Sequence, residues 1–140
     1  MKTYILKINL FDRPKIVREI EISKNVNLYK LAKAIVNAYN FDFDHCFGFF
    51  SNISENRYFD SERKYELFTD LEDIEPTGAG SVKKTKISEA WKDIGDKMLF
   101  LFDYGVCWRF VVTLSGLGEK DTKKKYPNIV KEIGRAPRQY

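Results

Sequence analysis

Four side chains in this 140-residue chain are the first candidates for acid–base or nucleophilic work: His45, Cys46, Asp103 and Cys107. A thiol nucleophile needs a base within hydrogen-bond reach, most often histidine, and the chain has one histidine. His45 and Cys46 are adjacent. If a strand begins there, they leave opposite faces and form no working pair. Cys107 meets His45 only if the fold brings two distant loops together, with Asp103 as the orienting acid. The stretch Phe102-Asp103-Tyr104-Gly105-Val106-Cys107-Trp108 also reads as a hairpin closure. Aspartate accepts backbone N–H groups in turns, Gly105 is expected to supply a positive φ, and Trp108 opens the next strand. The expectation is a structural corner that also rims a pocket.

Other chemistries lack their residues. A structural zinc site wants four N or S ligands in paired spacings, against one histidine and two isolated cysteines here, so no metal and no cofactor are expected. The Gly78-Ala79-Gly80-Ser81 loop lacks the Gly-Lys-Ser/Thr end of a phosphate-binding loop. The pairs Asp42/Asp44 and Glu72/Asp73 sit in polar stretches with no apolar pocket to part their pKa values. No apolar run nears the ~20 residues that span a bilayer, and the alternating start is not that of a signal peptide. No membrane partner is expected, and two cysteines, too few for a disulfide scaffold, suit free thiols in the cytoplasm.

Charge placement is more informative. Residues 1–118 hold 17 Lys/Arg and 17 Asp/Glu, so the whole excess of +4 lies in residues 119–140. There Lys120, Lys123, Lys124, Lys125, Lys131, Arg135 and Arg138 oppose Glu119, Asp121 and Glu132. Six of these cations (all but Arg138), with Tyr126 among them, form a candidate surface for a nucleic-acid backbone. The alternative is a solubilising end.

The elements that would position these groups follow from periodicity. Residues 3–11 and 16–23 alternate, with an Asp-Arg-Pro-Lys turn between them, and read as an antiparallel hairpin. Leu28, Leu31, Ala32, Ile35, Val36 and Tyr39 fall at helical spacing, with Asn27 as N-cap and Asn40 as stop. Strands are expected over "CFGFFSN" and "RYFDSERKYELF", the second opening an acidic 60–75 segment that is a candidate protein-contact surface. A loop is expected over 76–86 and a short helix over 88–94. A second hairpin follows, whose Trp108, Phe110, Val112 and Leu114 face the core, while Cys107 takes the alternate face. Gly116 and Gly118 are expected to end its second strand. A helix is conceivable over 127–133. The sum is an α+β fold: one mostly antiparallel sheet with the long helix on a face, as a single domain over 1–118 and a basic tail over 119–140 that either joins it or stays flexible.

Two segments carry a resemblance. "PKIVREIEISKNVNLYKLAKAIVNAYNFDFDHCFGF" and "MLFLFDYGVCWRFVVTL", with the later "KYPNIVKEIGRAP", resemble the plasmid open-reading-frame-three-like family first named from the Ri plasmid. Its anchors here are His45, Asp103, Gly105, Trp108, Tyr126, Pro127, Gly134 and Pro137. The resemblance implies an α+β domain and a setting among plasmids and insertion elements, and assigns no biochemical role. Some members are labelled insertion-element passengers or resolvase-like, but the nucleophilic serine among arginines that a serine recombinase needs is missing. Relatives often place an acid after the glycine, where this chain has Val106, and acids after the last proline, where it has Arg138. Chemistry needing those acids is therefore not expected. The functional expectation is a non-catalytic binding or interaction module of unknown partner. The alternatives are a nucleic-acid-binding accessory protein and an enzyme using His45, Asp103 and Cys107.

Overall fold

A computed structural model describes residues 2–67 and 80–139. The chain opens with β1 (Lys2–Leu10) and β2 (Val17–Ser23), antiparallel from Thr3↔Ser23 to Asn9↔Val17. Then come α1 (Leu28–Ala38), β3 (Phe47–Phe50), β4 (Lys64–Glu66), β5 (Gly80–Ser81), α2 (Ile87–Ala90), β6 (Lys97–Phe102), β7 (Trp108–Glu119) and β8 (Asn128–Ile133). All eight strands join one sheet in the order β5-β4-β3-β6-β7-β1-β2-β8, antiparallel except for β4 with β5. The α+β expectation holds. No helix among the described residues is long and apolar enough to cross a membrane.

One sheet face carries both helices. Tyr4, Leu6, Ile8 and Leu10 of β1 alternate onto it, as do Phe110, Val112 and Leu114 of β7, all buried. The apolar stripe of α1 closes over them. Asn27 caps this helix by accepting Lys30 N at 2.9 Å, and Asn40 ends it in the left-handed region at φ 59°. The Tyr39 hydroxyl donates to Ile8 O and Ile16 O, pinning the helix end to the first hairpin. On the other face a smaller cluster of Phe50, Leu99 and Leu101 lies under Ile53 and Tyr58.

Several elements depart from their sequence pattern. Residues 128–133 form a strand, not a helix: they pair with the outer edge of β2, whose N–H and C=O groups would otherwise lack partners. The basic segment is thus ordered from β7 through β8. β7 also runs through Gly116 and Gly118 to Glu119. A Cβ at Gly118 would meet Thr3 Oγ1 and Glu21 Oε2 at 2.7 Å, so the glycine makes room for their hydrogen bond. The strand expected after Ser54 shrinks to Lys64–Glu66, because Tyr58 and Phe59 fold back as a turn onto Phe50. α2 stops before Trp91, whose backbone is extended while its indole donates to Val112 O. Within the expected 76–86 loop, Gly80–Ser81 is a strand. Residues 76–79, with the acids Asp70, Glu72, Asp73 and Glu75, lie outside the described residues.

Arg18 breaks the apolar pattern of β2 for a reason. It shares the helix-side face with Ile20 and Ile22 and is 4% exposed. Its guanidinium donates to Ala38 O at 3.1 Å, Ile133 O at 3.1 Å and Gly134 O at 3.0 Å, and lies over the Tyr39 ring. It caps the C-terminal end of α1, where bare carbonyls favour a cation, and ties that end to β8.

Candidate functional site

The corner between β6 and β7 closes through Asp103. Its N–H donates to Cys46 O at 2.8 Å, and its carbonyl accepts Cys107 N. Its Oδ1 accepts Gly105 N at 3.1 Å and Val106 N at 3.2 Å. The positive φ values fall on Asp103 (65°) and Cys107 (64°), not on Gly105 as expected. Aspartate tolerates this region because its side chain bonds its own turn. Asp103 is 5% exposed.

His45 does meet Asp103. Its Nε2 lies 3.5 Å from Asp103 Oδ2, and its Nδ1 lies 2.6 Å from Asp44 Oδ1. The ring packs edge-on against Phe102, on the helix side of the sheet. With a carboxylate near each nitrogen, the imidazole holds the β3 entry to the corner. Beside it opens a cleft of about 300 Å³ lined by Tyr29, Phe43, Asp44, His45, Cys46 and Phe47.

The other predicted residues go elsewhere. Cys107 packs against the Phe50–Leu99–Leu101 cluster on the opposite face, and its thiol donates to Tyr104 O at 3.1 Å. The sheet separates it from His45. Trp108 packs on Phe41 with centroids 4.7 Å apart. It lines a different cleft of about 210 Å³, with Arg13, Val106 and Arg109. Partial desolvation and the nearby Glu66 carboxylate raise the Cys46 thiol above its ordinary pKa. That keeps it protonated and a poor nucleophile. Among the described residues, no group of three His, Cys, Asp or Glu side chains could hold a metal ion.

Sequence reasoning missed a tyrosine–carboxylate pair at this corner. The Tyr104 hydroxyl donates to Glu66 Oε1 at 2.7 Å, and Glu66 is 5% exposed. Burial, then the bond to Glu66, pushes the Tyr104 hydroxyl well above the usual tyrosine range. Gly48 makes the pair fit, since a Cβ there would meet Tyr104 Oη at 2.9 Å. A glycine inside an aromatic strand was the available signal.

The basic candidates lie along the sheet's far edge. Lys120, Lys123, Lys124 and Lys125 occupy the connection from β7 to β8, where Asp121 organises a turn by accepting Lys123 N and Lys124 N. Tyr126 accepts Asp121 N at its hydroxyl, and Lys120 covers its ring. Lys131 lies on β8, and Arg135 follows it. β8 ends the sheet, and its outer side pairs with nothing among the described residues. Ile129, Val130 and Ile133 are 44%, 46% and 45% exposed.

The family profile described as "Plasmid pRiA4b ORF-3-like protein" matches residues 2–139. No curated protein matches the chain. A crystal structure of a protein of unknown function from Methanosarcina mazei Go1 superimposes with a TM-score of 0.75 at 23% identity, covering 97% of this chain and 71% of that one. At that identity the likeness shows the fold.

Proposed function

The chain belongs to the plasmid pRiA4b ORF-3-like family, and from that premise we propose that it is a non-catalytic interaction module that takes a protein partner along β8. The observation carrying this reading is the outer edge of β8, a strand with one side of its backbone unpaired among the described residues and three apolar side chains nearly half exposed. Such an edge is a template for another strand. The His45 corner supports the non-catalytic half. Its histidine is bracketed by two carboxylates, and the Cys107 thiol packs on the opposite face of the sheet. The family's description suits a plasmid or mobile-element setting, and two free cysteines suit the cytoplasm.

The exposed Lys123–Lys125 turn favours a rival reading, nucleic acid bound through phosphate contacts. Against it, the Tyr126 ring is already covered by Lys120 and offers no clear stacking platform. A photo-crosslinking residue placed at position 129 or 133 of the full chain in cells separates the two. The interaction reading expects discrete protein adducts that survive nuclease and are missing from a control at exposed position 7. Nuclease-sensitive adducts, or identical patterns at all three positions, would overturn it.

A further inference from the structure

The surface around β8 has three features that together describe one kind of partner. The first is the open strand edge. A segment added there would extend the sheet by backbone hydrogen bonds, with alternate side chains toward the helix side. The second is an apolar notch on that side. Ile20, Ala34, Ala38, Pro127 and Ile129, with Asn37 as the one polar side chain, bound a space of about 200 Å³ between α1 and β8. A lined apolar cavity of about 150 Å³ is enough to hold a benzene ring, so the notch fits one aromatic or branched aliphatic side chain. It exists because α1 turns alanines toward β8 where a larger residue would have closed the gap.

The third feature is charge. Lys123, Lys124 and Lys125 precede β8, Lys131 sits on it, and Arg135 and Arg138 follow. The strand spans about 20 Å, so cations flank the edge at both ends. A second copy pairing through its own β8 would bring these like charges together. Lys131 and the β-bulge beside Glu19 and Ile20 also discourage such self-pairing. An acidic segment meets the cations at both ends and one exposed acid on the strand, Glu132, whose carboxylate is 3.7 Å from the Arg18 guanidinium.

Resting on the β8 interaction reading, we propose that the site takes an extended acidic segment of about six to eight residues by strand addition, with one large apolar side chain anchored in the Ile20–Ala34–Ala38–Ile129 notch.

The test is selection of a random twelve-residue peptide library on the full chain, followed by titration of the leading peptide. The expected consensus has Asp or Glu at both ends of an extended stretch around one large apolar residue. N-methylation of alternate backbone amides should weaken the leading peptide at least tenfold, as should Ala34→Phe, which fills the notch. Basic or proline-rich consensus peptides, no enrichment, or an N-methylated peptide binding as well as its parent would each overturn the proposal. So would equal binding by polyglutamate of the same length, which would show charge acting without the notch. If these fail while crosslinks at 129 and 133 persist, the partner class is wrong and the β8 surface stands. If the crosslinks fail too, the interaction reading itself falls.

Discussion

The β6–β7 corner and the β8 edge both stand out in the sequence, one for its reactive residue types and one for its charge. At the corner the polar groups bond to one another and to their own turn. Asp103 bonds its own turn, Tyr104 reaches Glu66, Cys107 donates to a carbonyl, and His45 lies between Asp44 and Asp103. At the edge the backbone and three apolar side chains turn outward. Reactive residue types close together in sequence thus made a rigid joint, while an unremarkable β-branched run became the open surface. A group satisfied inside the fold has little left for a ligand.

Four experiments would break or sharpen this contrast. The largest effect should come from Arg18→Ala, which strips a buried cation from carbonyls of α1 and of the β8 end. It should cost about 3 kcal/mol, read as a fall in urea midpoint with loss of amide-exchange protection in β8. Protection lost evenly across the sheet would mean that Arg18 does not specifically hold the edge.

Asp103→Ala should cost about 2 kcal/mol, because it removes the acceptor of two turn N–H groups and leaves alanine at positive φ. Asp103→Asn keeps both the oxygen and the tolerance for φ, so it should lose less than half as much. Equal losses would shift the weight to the His45 contact.

Tyr104→Phe should cost about 1 kcal/mol at pH 7 and also change the alkaline limb. The folded-state pKa of Tyr104 is raised. Its contribution is therefore complete below the unfolded value of about 10 and is lost as pH rises through the folded one. Thermal melts above pH 10 should fall less steeply for the variant than for the native chain. Parallel limbs would remove Tyr104 as the cause.

The smallest stability effect should come from Ile129→Lys with Ile133→Lys, within about 0.5 kcal/mol on the open edge. A loss of several kcal/mol would mean that β8 is structural mortar instead of a docking strand.

Much of the fold was legible because period and burial agree. The alternation Tyr4, Leu6, Ile8, Leu10 and the helical spacing of Leu28 to Tyr39 each describe one buried face, and both appear as read. The closing role of Asp103 was legible too, since a short carboxylate bonds its own turn wherever the chain puts it. Gly105 misled because glycine is only permissive of positive φ, while the hydrogen bonds of the turn placed that strain on Asp103 and Cys107. Residues 128–133 were misread for a different reason. Their short apolar run carries no period that separates strand from helix, and the vacant edge of β2 decided the outcome. Arg18 could have been noticed as a charge on an apolar face, but its acceptors come from Ala38, Ile133 and Gly134, which only the fold brings together.

By itself the amino-acid sequence determined the elements with strong periodicity, the α+β class, the basic C-terminal end and the shortage of residues for metal or phosphate-loop chemistry. These are local properties, set by the order of side chains along a few turns or a strand. The tertiary structure decided which reactive groups meet, that the sheet parts His45 from Cys107, and that the basic end becomes an outer strand beside an apolar notch. Those outcomes depend on contacts between residues as far as 116 positions apart, and no local pattern encodes the partner that satisfies each buried polar group.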